Sequence, residues 1–176
     1  MHVFIYMLEL YVMRHAKSSW DNLDLPDHDR PLSTRGKRNA KKICEFFVKK
    51  KIEFDLIIVS SSKRTKKTLK ILKKKIKKPK KIIISKKLYL VNENKILLKL
   101  KKIKNNYKKV LLINHEPAVT SLVNYLVKNT DNSLFKLMNY KFPTSTFAKI
   151  IFDLDKWSLI NSKTGVLKNF VRPKDI

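Results

Sequence analysis

Glycine is nearly absent from this chain: two residues in 176, Gly36 and Gly165. A Gly-rich phosphate loop or a dinucleotide fingerprint needs several glycines in a short span, so both are excluded. Cysteine is rarer still. Cys44 alone cannot close an internal disulfide, and the sequence has no Cys/His cluster at zinc spacing. Cys44 lies on an apolar helical stripe and reads as a buried thiol, which suits a reducing compartment; the expected location is the cytoplasm. Long apolar runs are missing too. The segment MHVFIYMLELYVM is interrupted by Glu9, falls short of the ~20 residues that span a bilayer, and lacks a basic leader. Neither a signal peptide nor a membrane partner is expected. Residues 1–7 read as an extension of a single domain covering 1–176.

Acids are scarce: 14 Asp+Glu stand against 41 Lys+Arg, a formal net charge of +27. Residues 63–109 hold twenty lysines, one arginine and one acid, Glu93. Such a surface could bind nucleic acid or an anionic membrane. The composition argues otherwise. There are 35 Lys and only 6 Arg, and the lysine run at 73–81 contains no aromatic residue. Nucleic-acid proteins favour arginine and stacking rings. A drift towards lysine is the simpler reading, and a nucleic-acid partner is not expected. The ratio gives each arginine weight, because lysine supplies the generic cations here.

Apolar periodicity alternates between two kinds. Residues 9–13, 55–60, 81–85 and 109–114 are short apolar runs that read as strands, and the continuous run at 55–60 is as expected of a strand buried on both faces. Between them, residues 33–50, a segment from about 63, and residues 93–104 repeat at helical spacing. Ser33 is a suitable N-cap, and Pro117 suits the start of a helix through Leu126. TFAKIIFDL and KWSLIN read as two final strands joined by a turn at Asp155. Alternation of this kind predicts a three-layer α/β/α sandwich with a mostly parallel sheet. The last two strands are expected to add antiparallel to an edge. The connection at 17–32 breaks the rule of short loops. It carries four Asp, two Pro and Trp20, and loops of that length are usually functional.

Ligands of parallel sheets bind at the carboxyl ends of the strands. The first strand ends in Arg14-His15, the second leads into Ser60-Ser61-Ser62-Lys63-Arg64, and the fourth ends in His115. Two of six arginines and two of four histidines thus meet at one sheet edge. Guanidinium groups grip phosphate oxygens through paired hydrogen bonds, and histidine can form a covalent intermediate. This set describes a dianion pocket that needs neither metal nor cofactor. His2 and His28 lack such a setting and read as surface residues.

The segments Met13-Arg14-His15-Ala16-Lys17-Ser18-Ser19-Trp20, Asp29-Arg30-Pro31-Leu32-Ser33-Thr34-Arg35-Gly36, Ser60 to Thr68, Asn114-His115-Glu116-Pro117, Phe142-Pro143-Thr144-Ser145 and Phe170-Val171-Arg172-Pro173 follow one another as in a known family. The chain resembles the histidine phosphatase superfamily, and within it the SixA-like phosphohistidine phosphatases. The resemblance implies a phosphoglycerate-mutase-like fold. It implies His15 as the phosphorylated nucleophile, with Arg14, Arg64 and His115 around the phosphate. It makes Arg30 and Lys17 candidates for substrate binding. The general acid is open between Glu93 and the loop residues Asp21, Asp24, Asp27 and Asp29. The implied partner is a phosphohistidine-bearing protein or a small phosphorylated substrate, and a monomer is expected.

Overall fold

The structure is a computed structural model that describes residues 7–176. The extension expected at residues 1–7 lies outside these residues apart from Met7, and so does His2. In chain order the elements are β1 (Leu8–Arg14), α1 (Thr34–Lys49), β2 (Leu56–Ser60), α2 (Lys63–Leu72), β3 (Lys81–Ser85), α3 (Glu93–Lys101), β4 (Lys109–Asn114), α4 (Ala118–Leu126), α5 (Ser133–Tyr140), β5 (Phe147–Phe152) and β6 (Gly165–Val171).

One six-stranded sheet runs in the order β3-β2-β4-β1-β5-β6. The first four strands in that order are parallel. β5 and β6 join antiparallel at the far side. The chain travels outward from β1 to β2 to β3, then reverses and inserts β4 between β2 and β1. Right-handed crossovers put the helices of the outward leg on one face and that of the return leg on the other. Accordingly, Ile43, Phe47, Leu69 and Leu72 of α1 and α2 pack with Tyr11, Met13, Ile57 and Ile113. Ile96, Leu100, Leu122 and Leu126 of α3 and α4 pack with Leu10, Val12, Ile58 and Leu112. Alternate residues of one strand therefore feed opposite cores, which is why these strands read as unbroken apolar runs. Burying each such side chain contributes roughly 1.5–3 kcal/mol. The edge strand β3 is partly exposed and begins at Lys81, a charge that discourages pairing with another chain.

The helix starts follow from capping chemistry. Ser33 accepts from Gly36 N at 3.0 Å, Ser62 caps α2 through Thr65 N, and Asn92 caps α3 through Lys95 N.

Two expectations about the C-terminal part need correction. KWSLIN is not a strand: Trp157–Leu159 form a 3-10 turn. Trp157 and Ile160 are both fully buried, a spacing of three where a strand would bury every second residue. The Trp157 indole N–H donates to the Tyr107 carbonyl at 2.6 Å, which satisfies its one polar atom. The final strand is β6 instead, disguised by Lys168 and Asn169. Helix α5 was also unexpected; it buries only Met138, too little for a clear apolar stripe.

The loop at 17–32 is built rather than loose. Ser18 bridges Leu32 across it, and a 3-10 turn forms at Asp27–Asp29. Its base is closed by a tight contact. The Lys17 carbonyl accepts from Ser33 N at 2.9 Å and lies 2.1 Å from where a Cβ on Gly36 would sit. Only glycine fits there. Replacing Gly36 with Ala is expected to destabilise the fold by about 1–3 kcal/mol, read as a lower midpoint in urea unfolding; an unchanged midpoint would mean that Lys17 is not held against α1.

Candidate active site

β1, β2 and β4 deliver their carboxyl ends to one crevice. His15 follows β1, and its backbone N–H donates to the Asn114 carbonyl of β4 at 3.0 Å. Ala16 N donates to Thr68 Oγ1 at 3.0 Å. Thr68 in turn donates to the Arg64 carbonyl at 2.8 Å. The end of β1 is thus tied to both β4 and α2.

The His15 Nδ1 atom lies 2.7 Å from the Ala16 carbonyl oxygen. A carbonyl can only accept, so the proton is on Nδ1. Nε2 is then a bare lone pair, and it accepts from Arg64 Nε at 3.3 Å. Burial pushes the His15 pKa down to about 4, and the charges of Arg64 and Arg14 act in the same direction. Neutral imidazole is the stable form at ordinary pH.

His115 stands beside it, with ring centroids 4.9 Å apart. Its Nε2 lies 2.9 Å from Ser60 Oγ, while Nδ1 is buried with no partner among the described residues. Burial lowers its pKa to about 3, helped by His15 and Arg64. Arg14 donates from Nη1 to the Phe142 carbonyl at 2.7 Å, and its Nε is also buried and unpaired among the described residues. Unpaired buried donors and two cationic groups around one nucleophilic nitrogen form a ready site for an oxyanion.

The structure therefore brings together Arg14, His15, Arg64 and His115. It places the other candidates differently. Arg30 is buried and committed to the loop. It donates to the Ser19 carbonyl at 3.2 Å, Asp27 Oδ1 at 3.2 Å and Ser18 Oγ at 2.9 Å, and it lies 3.1 Å over the Trp20 ring centroid. Lys17 is exposed, and its carbonyl rather than its ammonium makes the structural contacts. Glu93 occupies the first turn of α3. Its side chain has no hydrogen bond or ion pair among the described residues.

Two residues matter more than the sequence implied. His28 is not a simple surface residue: Nε2 lies 2.9 Å from Ser61 Oγ, and its ring meets Tyr89 edge-on at 4.8 Å. Tyr89 in turn meets His115 at 5.6 Å. Asp27 is the acid hydrogen-bonded to the pocket. Its Oδ2 accepts from Arg64 Nη2 at 2.9 Å and from Tyr89 Oη at 2.6 Å. Burial alone would raise its pKa, but the bonds from Tyr89, Arg64 and Arg30 outweigh that and hold it near 2. Four aspartates in one loop gave no sign of which would do this.

Residues 10–89 match the model of the histidine phosphatase superfamily (branch 1). Over that span, a little under half of the chain, the sequence is similar to that superfamily. An uncharacterized chloroplastic protein of Arabidopsis thaliana is 46% identical over 61 residues, which cover 35% of this chain and 28% of that protein. Among solved structures, SixA from Nakamurella multipartitia superposes with a TM-score of 0.83 at 22% identity, covering 95% of this chain and 96% of that one. The protein histidine phosphatase SixA complexed with tungstate gives 0.78 at 22%, covering 96% and 99%. A phosphoglycerate mutase of Bacillus anthracis gives 0.66 at 17%, covering 93% and 92%. The fold is thus phosphoglycerate-mutase-like. No helix among the described residues is long and apolar enough to cross a membrane.

Two measurements test this reading of the site. In an NMR titration, the His15 and His115 imidazoles are expected to stay neutral at pH 5.5; midpoints near the ordinary 6.5 would refute it. The same shifts set a sign for stability. The unfolded chain takes up these protons below about 6.5 and the folded chain only near 4 and 3. Stability is therefore complete above 6.5 and falls as pH drops from there towards 4. Second, Asp27 competes for Arg64 with any incoming oxyanion. The Asp27→Asn protein should bind orthovanadate about tenfold more tightly, a gain of about 1.4 kcal/mol; equal affinity would show that the carboxylate does not compete.

Proposed function

We propose that this chain is a phosphatase that works without metal, carries the phosphoryl group on His15, and takes it from phosphohistidine in a protein. The observation behind the first step is the neutral His15 ring with Nε2 bare and Arg64 against it. Nε2 attacks phosphorus in line. The new P–N bond forms as the bond to the leaving nitrogen breaks, and that electron pair departs with the leaving ring. Arg14 and Arg64 neutralise the equatorial oxygens. With the Ser60 hydroxyl donating to His115 Nε2, the His115 proton rests on Nδ1 and is available to a third oxygen. Water then attacks phospho-His15. A P–O bond forms, the pair of the breaking P–N bond returns to Nε2, and the water proton leaves with phosphate or solvent.

The substrate class is argued from the carboxylates. Asp27 is the acid bonded to the pocket, and its pairing keeps it ionised, so it is a poor proton donor there. An alcohol leaving as alkoxide needs a proton. A phosphohistidine ring already protonated on its other nitrogen leaves as neutral imidazole and needs none. The likeness to a structure described as a protein histidine phosphatase supports the same class. In this reading Arg30 positions Asp27 and the loop, and the exposed Lys17 ammonium is left to meet the substrate.

The test is hydrolysis of a phosphohistidine-bearing protein domain beside an aryl phosphate, in chelator, with wild type and His15→Ala. We expect faster loss of phosphohistidine, and at least a thousandfold drop without His15, on the order of what removal of a catalytic nucleophile costs. Full activity in His15→Ala would refute the nucleophile. Turnover of the aryl phosphate alone would move the substrate to small phosphomonoesters.

A further inference from the structure

Three of the six arginines serve the pocket and its loop: Arg14, Arg30 and Arg64. The other three, Arg35, Arg38 and Arg172, all line one cleft of about 620 Å³, together with Lys42, Lys141 and Lys174. In a chain with 35 lysines, that concentration calls for guanidinium chemistry and not merely for charge.

The placement works against the helix that carries it. Arg35, Arg38 and Lys42 follow one another at spacings of three and four on α1, so like charges face each other along one stripe. Arg35 and Lys37 lie in the first turn, where the helix dipole disfavours cations, and no acid stands in that turn to offset them. Neither Arg35 nor Arg38 has a carboxylate partner among the described residues. Both are exposed.

The cleft already grips the kind of group it fits. At its rim Arg172 holds Asp175 through two parallel bonds, Nε to Oδ2 at 2.8 Å and Nη2 to Oδ1 at 2.8 Å. Lys42 Nζ reaches the backbone oxygens of Pro173 and Ile176 at 3.4 and 3.3 Å.

It also adjoins the reacting centre. Pro143 and Thr144 form part of its wall. The next residue, Ser145, donates its N–H to the carbonyls of Arg14 and His15, at 3.1 Å each, and Phe142 accepts from Arg14. Across the sheet, Met13 pairs with Phe147 and Phe147 with Val171. The end of β6 is therefore two strand spacings from the end of β1, roughly 10 Å.

We propose that this arginine cleft is a docking site for an acidic, Asp/Glu-rich segment of the phosphorylated protein whose phosphohistidine enters the His15 pocket. The partner class rests on the function proposed above; the binding chemistry of the cleft does not. Arginine forks match carboxylates in pairs, as lysine cannot.

The experiment reads binding separately from catalysis. Fluorescein-labelled deca-glutamate is titrated into the full chain at about 0.15 M salt. The variants are Arg35→Lys/Arg38→Lys, which keeps the charge and removes the forks, and Lys102→Gln/Lys104→Gln. The latter removes two charges at the end of α3, beside the amino end of β4 and away from the pocket. An oligothymidylate of equal charge serves as the rival ligand. We expect the arginine pair to lose about tenfold in peptide affinity and the lysine pair to lose less than twofold. With a phosphorylated acidic protein domain, the arginine variant should show a raised KM and an unchanged kcat, while turnover of an aryl phosphate stays the same. Absent peptide binding, or equal losses in the two variants, would overturn the proposal. So would oligothymidylate binding as tightly with the same dependence on Arg35 and Arg38, which would assign the cleft to nucleic acid. Peptide binding without phosphohistidine hydrolysis would keep the cleft and refute only the substrate reading.

Discussion

The hydrogen bond from His15 Nδ1 to the carbonyl of Ala16 decides which ring nitrogen is free, and the surrounding structure holds the two atoms in place. Ala16 is tied through its N–H to Thr68 on α2, and His15 through its own N–H to Asn114 on β4. The second anchor exists because β4 is inserted beside β1 when the chain reverses direction. A sheet that kept adding strands outward would have left β1 and β4 apart, with the two histidines on different crevices. Burial then does the rest. It removes water from both rings and makes the neutral form the stable one, and the cationic arginines close by act in the same direction.

Much of this was legible in the residues. Continuous apolar runs marked β1, β2 and β4 because both faces of those strands are covered. The residues after them had to meet, since parallel strands end on one edge. Ser33 could be read as a cap because a side-chain oxygen three residues before Gly36 has few other uses. The failures share a physical cause: each residue's role was set by tertiary contact and not by local period. Trp157 looked like a strand residue until its N–H found the Tyr107 carbonyl. Helix α5 has little apolar face to show. Asp27 and His28 are polar loop residues, indistinguishable from their neighbours until the turn at Asp27–Asp29 sets them against Arg64, Ser61 and Tyr89.

The cation economy of the chain has a structural meaning. Lysines populate the exposed faces of α2 and α3 and the connection after α2, where a flexible ammonium suffices; surface pairs in that connection, Lys75–Glu45 and Lys77–Glu53, are worth little. Arginine is kept where geometry counts. Arg30 stacks on Trp20 while bonding three partners, and Arg64 presents different nitrogens to His15 and Asp27. Lysine has one nitrogen and no plane, so it could do neither.

The contact between Asp27 and Arg64 has a kinetic consequence. The carboxylate is tethered to the site it occupies, so it acts as a resident ligand at an effective concentration on the order of millimolar. An oxyanion enters by exchange rather than by simple addition. Free phosphate must outcompete the tethered carboxylate to remain bound. The fold thus carries its own eluent, which favours turnover over retention of product.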